Sequence, residues 1–471
     1  MKIVDLAIKG VTSNSKEIKP GFLFVAIKGN CQDGNCFIQE AITRGARIIV
    51  VEKEAPQIKV PEKVIFLVVD DCRKFFAQAT HNFYGAPSDK IKVVGITGTN
   101  GKTTVSYLIE ALAKKSKKSC GVIGTINYRF KGRTIIAKNT TPGSGQLQSL
   151  LKKMYSRKVK YCAMEVSSHA LDQERVAGIN FSHAIFTNLT QDHLDYHKNL
   201  ENYFLAKAKL FCVLPASARA IINNDDPYSQ RIKQLTKAKV STYGIKNKST
   251  VMAKKINFSK RFTEFSLVAP GINLRMKVNL IGRYNIYNIL AAVAWGISEK
   301  LSIRDIQGAI EKFRSVPGRL QRVDFSRGLN IFVDYAHTPD ALFNVLSALR
   351  PLVEGKIIVI FGCGGERDKL KRPLMGKVVT ELADYAIVTS DNPRSEDPGE
   401  IIKDIARGIQ KSNYCLVLER GEAIRKGVSL INKADCLLIA GKGHEDYQIL
   451  KNKVLKFSDR KAAQECLRLM K

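Results

Sequence analysis

A short β-branched run, Lys92-Val93-Val94-Gly95-Ile96, leads straight into Thr97-Gly98-Thr99-Asn100-Gly101-Lys102-Thr103-Thr104, and that loop leads into a helically spaced stretch over 105–112. Nothing else in the chain restricts its fold as much. Glycines let such a loop curl until successive amide N–H groups point at phosphate oxygens, and the helix that follows adds its positive N-terminal end. Lys102 is then expected to neutralise β- and γ-phosphate charge, and the Thr103 hydroxyl to meet a magnesium ion. The strict Gly-x4-Gly-Lys-[Ser/Thr] pattern is missed at one position only, where Ile96 stands for the first glycine.

A strand that feeds a phosphate loop belongs to a parallel sheet, and further candidates fit that sheet at 161–164, 184–187, 331–333, 356–361, 385–389 and 436–440. Helical spacing fills the intervals, which is the α/β pattern. Most of these strands run into clusters of Gly, Asp, Glu, His or Arg, and in open α/β sheets ligands bind beyond the carboxyl ends of strands. With 471 residues, two or three compact units are expected. Two turn-rich joints, Tyr84-Gly85-Ala86-Pro87-Ser88-Asp89 and Ser315-Val316-Pro317-Gly318-Arg319, divide the chain into 1–88, 89–315 and 316–471. The expected fold is therefore α/β with three domains. These are a smaller N-terminal α/β domain, a central P-loop ATPase-type parallel sheet and a C-terminal Rossmann-like α/β domain.

Composition narrows the function classes. The 76 Lys and Arg residues against 43 Asp and Glu leave a net charge of +33, a field that draws in polyanions of any kind. No basic run with regular aromatics and no zinc-finger spacing accompanies it, so most of the excess reads as solvated surface. The ten cysteines include no Cys-x-x-Cys pair; Cys31 and Cys36 are nearest, and no second pair or His-x-x-x-His joins them. They read as reduced thiols of a reducing compartment. The N-terminus lacks the apolar core of a signal peptide, and no run of about 18 apolar residues occurs, so the expected location is the cytoplasm, with no membrane partner.

Phosphoryl transfer needs cations to screen approaching anions. Two strand ends offer ligands: Glu165-Val166-Ser167-Ser168-His169, and Thr187-Asn188-Leu189-Thr190-Gln191-Asp192-His193-Leu194-Asp195-Tyr196-His197. Glu165 supplies a hard oxygen and His193 an imidazole. With the phosphate loop, these segments resemble the Mur ligases, ATP-dependent amide-bond formers of peptidoglycan precursor synthesis. So do Ala206-Lys207-Ala208-Lys209-Leu210-Phe211, Gly282-Arg283-Tyr284-Asn285-Ile286-Tyr287-Asn288 and Asp334-Tyr335-Ala336-His337-Thr338-Pro339. The order of these motifs covers essentially the whole chain, and the resemblance is nearest to the ligases that add the third residue of the stem peptide.

The resemblance implies the following chemistry. ATP phosphorylates the γ-carboxylate of D-glutamate in UDP-N-acetylmuramoyl-L-alanyl-D-glutamate, the amine of an incoming amino acid attacks the acyl phosphate, and phosphate leaves. No side-chain nucleophile is required, in keeping with the absence of a Gly-x-Ser-x-Gly motif. On the matching positions, Gly98, Thr99, Asn100, Gly101, Lys102, Thr103 and Thr104 bind phosphates. Glu165 and His193, with Thr103, hold two Mg2+ ions. Lys207 is carbamylated by CO2 and becomes a carboxylate ligand of the second ion, with Lys209 as its rival. Asn285 and Asn288 contact adenine, Arg319 and Asp334 reach phosphate and ribose, and His337 belongs to the nucleotide side. Ser13-Asn14-Ser15-Lys16 and Gly29-Asn30-Cys31-Gln32-Asp33-Gly34 resemble uridine and pyrophosphate loops, with Ser15 and Gln32 the named contacts; Cys36 departs from the usual His. Thr140, Thr141, Ser168, Gln173 and Arg175 match positions that touch the muramoyl dipeptide. The enzyme is expected to be a monomer without a nucleic-acid partner.

The amino acid follows from Gly362-Cys363-Gly364-Gly365-Glu366-Arg367-Asp368-Lys369, Asp391-Asn392-Pro393-Arg394 and Gly441-Lys442-Gly443-His444-Glu445. In the family, Asp-Asn-Pro-Arg marks enzymes for meso-2,6-diaminopimelate, whose distal carboxylate L-lysine lacks; Arg394 supplies a planar fork for it. Asp391 and Asn392 belong to the same pocket, Glu445 and the Gly441 carbonyl take the distal ammonium, and Arg367 helps with a carboxylate. The alternatives are the same ligase acting on L-lysine, a folylpolyglutamate-type ligase, or, in a different class, a basic nucleic-acid-binding P-loop ATPase.

Overall fold

The computed structural model describes residues 8–29, 32–53, 61–259, 262–323, 328–451 and 453–469. Asn30 and Cys31 of the 29–34 segment, and the first seven residues, lie outside them. Three large sheets follow one another along the chain, with a two-stranded antiparallel ribbon of Tyr447–Leu450 and Lys453–Lys456 near its end. The first is four-stranded and parallel, in the order Gly10–Thr12, Phe22–Val25, Ala46–Glu52, Ile65–Val69, backed by the helix Cys72–Phe83.

The second sheet has eleven strands. Its parallel centre runs in the spatial order Cys120–Ile123, Tyr161–Glu165, Lys92–Thr97, Phe181–Phe186, Arg219–Asn223, Lys239–Gly244. Both faces are covered, so its strands are near-continuous apolar runs rather than alternating ones. Val94 and Ile96 face the helices Lys102–Lys115 and Arg283–Ser298, whereas Val93 faces Ser144–Ser156 and Leu200–Cys212. The chain leaves Lys92–Thr97 for neighbours on both sides, which makes the end of that strand the switch point where a crevice opens. The phosphate loop sits there.

Antiparallel arms extend both edges, and the parallel pattern in the sequence did not announce them. Val251–Phe258, Thr263–Ala269 and Ile272–Val278 form a meander on one side, Asn127–Phe130 and Arg133–Ile136 a hairpin on the other. The sequence signal was the alternation of Phe265 and Leu267 with Glu264 and Ser266 and the Pro270-Gly271 turn after them; in the fold Thr263–Ala269 alternates in and out. The third sheet is parallel in the order Asn330–Asp334, Cys436–Ala440, Ile357–Phe361, Tyr385–Val388, Tyr414–Leu416, with the short antiparallel Gln321–Arg322 at its edge. Inserting the late strand Cys436–Ala440 beside Asn330–Asp334 brings loops distant in sequence to one rim. No described helix is long and apolar enough to cross a membrane.

Beneath the central sheet, a polar knot ties strand starts to the end of Arg283–Ser298. Glu299 accepts from Lys92 Nζ at 2.8 Å and from the Tyr161 hydroxyl at 2.7 Å. His183 Nε2 meets Ser298 Oγ at 3.0 Å, and its Nδ1 meets Ser182 Oγ at 3.1 Å. Burial pushes the His183 imidazole down to about 4, only partly opposed by Glu299. The unfolded chain therefore binds the extra proton between about pH 6.5 and 4, so this contribution to stability is complete above pH 6.5 and is lost as pH falls. Five other histidines, His169, His193, His197, His337 and His444, are displaced in the same direction. The urea midpoint of the wild type should drop from pH 7.5 to 4.5, and that of His183→Gln should drop less; superimposable profiles would count against this assignment.

Candidate active site

The phosphate loop owes its path to one residue in particular. Gly101, with φ of +90°, caps the helix Lys102–Lys115, and a Cβ there would collide with the Asn288 side-chain oxygen. Lys102 curls back so that Nζ donates to the carbonyls of Gly98 and Thr99, both at 2.8 Å. Lys207, from the helix Leu200–Cys212, reaches the same Gly98 carbonyl at 2.9 Å and lies 4.3 Å from the Tyr203 ring centroid. Burial pushes the Lys207 amine well below the lysine range, and the neighbouring Lys102 charge adds to this. Burial lowers Lys102 as well. Lys209, two residues on, is 44% exposed and pairs with Glu174 at 3.2 Å. Of the two lysines, only Lys207 enters the site.

Glu165 ends its strand with the carboxylate wholly enclosed. It accepts from Thr103 Oγ1 at 3.0 Å, Thr125 Oγ1 at 2.9 Å and the Thr125 amide at 3.0 Å, and Gly124 leaves it room. These donors are neutral, and no salt-bridge partner of Glu165 occurs among the described residues. A buried carboxylate with only neutral donors is poised for a cation. His193 stands nearby with left-handed backbone, φ +55°, and its imidazole, 3.5 Å from Asp192, is driven down to about 3 chiefly by burial. His169 packs edge-on to it, 4.8 Å between centroids.

No group of three or more His, Cys, Asp or Glu residues among those described forms a ready cation cage. A carboxylate beside a threonine hydroxyl nevertheless suits magnesium, which commonly takes one or two carboxylates and completes its shell with phosphates and water. The residues therefore fit the ion at Glu165 and Thr103. As an amine, Lys207 is no ligand; a carboxylated Lys207 would be.

The muramoyl-dipeptide candidates converge on the neighbouring wall. Thr140 Oγ1 lies 3.1 Å from Thr125 Oγ1, and Thr141 Oγ1 donates to the Glu165 carbonyl at 2.8 Å. Arg175 donates to Gln173 Oε1 at 2.6 and 3.0 Å and to the Thr141 carbonyl at 3.0 Å. Ser168 Oγ is taken up by His197 Nε2 at 3.0 Å. Ser15 and Gln32 are not brought here: Ser15 donates to Glu40 at 2.7 Å within the first unit, and Gln32 is exposed.

On the nucleotide side, Asn288 Nδ2 donates to Asn285 Oδ1 at 3.1 Å, and Asn285 Nδ2 to the Ile281 carbonyl at 2.8 Å, so the pair is held as one unit. Asp334 accepts from the Leu320 and Ala336 amides at 2.5 and 2.7 Å, which shapes the turn that presents Arg319. Arg319 reaches Thr103 Oγ1 at 3.3 Å and stacks 4.5 Å from the Tyr335 ring centroid. Thr104 is buried in the first turn of its helix. Burial lowers His337 to about 4. Asp340 was not anticipated: its Oδ2 accepts from Asn100 Nδ2 at 2.9 Å and Thr190 Oγ1 at 3.1 Å, so the third unit grips the phosphate loop directly.

Across the cleft, Asn392 Oδ1 accepts from Lys442 Nζ and the Ile449 amide, both at 3.0 Å, which leaves its Nδ2 to donate to Glu445 Oε2 at 2.8 Å. Lys442 is fully enclosed, 3.5 Å from Glu445 and 4.0 Å from Asp391. Burial and the Asp391 charge push the Glu445 carboxyl up. Gly441, φ +114°, lies so close to Asp391 that a Cβ would strike its carboxylate. Arg394 also adopts the left-handed region, φ +54°, and donates to the Gly365 carbonyl at 2.6 Å.

One cleft of about 400 Å³ brings together Lys102, Thr103, Glu165, His193, Arg319, Asn392, Arg394 and Glu445, walled by the second and third units; Arg175, Lys207, Asn285, Asn288 and Lys442 stand behind its lining. Its cations Lys102, Lys138, Arg319, Arg367, Lys371 and Arg394 are matched one for one by Glu165, Asp192, Asp195, Asp368, Asp391 and Glu445. The chain's excess of positive charge therefore lies elsewhere. Lys442, Asp340, Asp192 and Thr125 had no role assigned from sequence; the Gly-Lys-Gly-His-Glu cluster contained Lys442 and the 187–197 segment contained Asp192, while nothing marked Asp340 or Thr125.

A phosphate loop facing a Rossmann-like unit across a charge-balanced cleft defines a multidomain P-loop enzyme acting at a domain interface. Comparison with known proteins makes the assignment specific. The Mur ligase family catalytic domain matches residues 7–84, the Mur ligase middle domain 96–296, and the Mur ligase glutamate ligase domain 318–443. The chain belongs to the Mur ligase family. It is 44% identical over 467 residues to UDP-N-acetylmuramoyl-L-alanyl-D-glutamate--2,6-diaminopimelate ligase 1 of Clostridium acetobutylicum, covering 99% of this chain and 96% of that one. Its identity to the corresponding ligase of Clostridium tetani is 42% over 466 residues, covering 98% and 96%. A solved structure of such a ligase matches with a TM-score of 0.71 at 30% identity, over 98% of this chain and 95% of the other. The MurF ligase of Thermotoga maritima in complex with ADP shares the fold at 19% identity, TM-score 0.64, over 98% and 97%.

Removing Lys442 would strand Asp391 and Glu445 in a buried site. Lys442→Met should lower unfolding free energy by about 3 kcal/mol at pH 8, read from urea denaturation; a change below about 0.5 kcal/mol would mean the carboxylates are compensated otherwise.

Proposed function

We propose that this chain is an ATP-dependent ligase that joins meso-2,6-diaminopimelate to the γ-carboxylate of UDP-N-acetylmuramoyl-L-alanyl-D-glutamate, in cytoplasmic peptidoglycan precursor synthesis. The observation that carries this reading is that the phosphate loop and the Asp391–Arg394 and Gly441–Glu445 loops open onto one cleft. A triphosphate on the first and an amine on the second would reach the same carboxylate. The active species is read as a monomer, and the balanced charge of the cleft gives no foothold for nucleic acid.

The residues divide the work. Amides and Lys102 in the Gly98–Thr104 segment cradle the phosphates, with Asn285, Asn288, Asp334 and His337 on the nucleoside side. Thr103, Glu165, His193 and Lys207 are the metal set. Magnesium there would supply charge screening between triphosphate and acceptor carboxylate. Lys207 suits carbamylation because burial and the neighbouring Lys102 charge shift its amine toward the neutral form, the form that adds to CO2. Thr140, Thr141, Ser168, Gln173 and Arg175 orient the dipeptide, while Ser15 and Gln32 face the uridine end. Lys102 and Arg319 then stabilise charge as the acyl phosphate forms; the carbonyl carbon accepts the amine, and phosphate departs with its electron pair.

Glu445, pushed up by burial and by Asp391, gains from a neighbouring ammonium, and Arg394 offers the distal carboxylate a guanidinium. Arg367, Asn392 and the Gly441 carbonyl complete that pocket. Phosphate release measured with the UDP-muramoyl dipeptide and a panel of amino acids should be fastest with meso-diaminopimelate, and higher kcat/KM with L-lysine would overturn the specificity. Stimulation by DNA or RNA instead would favour a nucleic-acid ATPase. Lys207→Ala should cost at least about 100-fold in kcat, with partial rescue by short-chain carboxylates, whereas Lys209→Ala should stay within about twofold. Unchanged turnover in Lys207→Ala would remove the metal assignment.

A further inference from the structure

Behind the loops that carry Asp391 and Glu445 lies a guanidinium that reaches neither cleft nor solvent. Arg420 opens the helix Arg420–Ser429, and its side chain and that of Asp459 are both fully enclosed. Nε and Nη2 donate to the two Asp459 oxygens at 2.7 and 2.8 Å. Nη2 also donates to the Ala440 carbonyl at 2.9 Å, and Nη1 to the Ser390 carbonyl at 3.2 Å.

Those two carbonyls immediately precede Gly441 and Asp391. They lie at the ends of strands that are not neighbours, since Ile357–Phe361 runs between Tyr385–Val388 and Cys436–Ala440. Strand pairing therefore sets the spacing of the two loops only through an intermediary, across about 10 Å. Arg420 spans that gap directly. A planar fork can serve a bidentate carboxylate and two carbonyls at once; a lysine, as a point charge, cannot. Stability alone gives little reason for the pair, because buried ion pairs are often replaceable by apolar residues without loss.

We propose that Arg420, with Asp459 as its counter-charge, is a positioning residue of the amino-acid pocket, fixing the separation of the Asp391–Arg394 and Gly441–Glu445 loops and with it the discrimination for an amino acid bearing a distal ammonium and carboxylate. This assignment rests on the diaminopimelate reading of the pocket. Misplacing supporting groups by about 1 Å typically costs up to 100-fold in the step they serve.

The test is Arg420→Met/Asp459→Leu, with Arg420→Lys as a second variant that keeps the charge but not the fork. Urea midpoints and steady-state kinetics are measured on the full chain. In both variants KM for meso-diaminopimelate should rise about tenfold and the kcat/KM ratio of diaminopimelate to L-lysine should fall in step. KM for ATP and for the UDP-muramoyl dipeptide should stay within about twofold. A folded variant with unchanged KM and unchanged ratio would overturn the assignment. So would a uniform loss across all substrates, or failure of both variants to fold, since each would mark the pair as a stability element. Absence of turnover with diaminopimelate in the wild type would instead overturn the reading of the pocket, and the assignment with it.

Discussion

Two lysines converge on one carbonyl. Lys102 and Lys207 both donate to Gly98 O, at 2.8 and 2.9 Å, in a place from which burial has removed much of the solvent. Like charges so close in a weakly screened interior disfavour one another, and burial disfavours each of them singly. The conflict is relieved by an anion at Lys102 and by loss of the charge at Lys207. Phosphate binding and the proposed lysine modification would be two answers to one electrostatic problem at the switch point of the central sheet.

The surrounding architecture keeps that problem dry and in place. Parallel strands buried on both faces send their carboxyl ends into the crevice, so Glu165 arrives there with its backbone already hydrogen-bonded in the sheet. Thr103 and Thr125 hold its carboxylate without neutralising it, which leaves a negative charge available to a cation. Asp340 closes the far side by accepting from Asn100 of the phosphate loop, so a direct hydrogen bond ties the third unit to that loop.

The pocket proposed for the amino acid is built differently, from loops braced by buried charge. Lys442 fixes the orientation of Asn392, Asn392 fixes Glu445, and Arg420 fastens the strand ends on which both loops stand. Left-handed backbone at Arg394 and His193 marks two points where side-chain placement has been set at the expense of backbone ease. Such positions persist only where surrounding contacts hold them.

The chemistry of the loops was legible in the chain itself. A phosphate loop is a local object whose glycines, lysine and threonine act within eight residues, and a strand running into Glu165 or Asp391 declares its rim by adjacency alone. Family resemblance assigned roles to Asn285, Arg319 and Arg394 that spacing could not. The antiparallel arms escaped notice because a meander at a sheet edge changes neither the loops nor the apolar runs at the centre. Resemblance named Lys207 ahead of Lys209, and tertiary structure adds the physical difference between them: two residues on a helix are separated by about 200°, and packing encloses Lys207 but not Lys209. Tertiary structure alone joined Asn100 to Asp340 across 240 positions, and Arg420 to Asp459. Sequence encodes which groups can do chemistry, because reactivity is a property of residue type and near neighbours. Burial, which sets their charge and mutual distance, exists only once remote segments have packed.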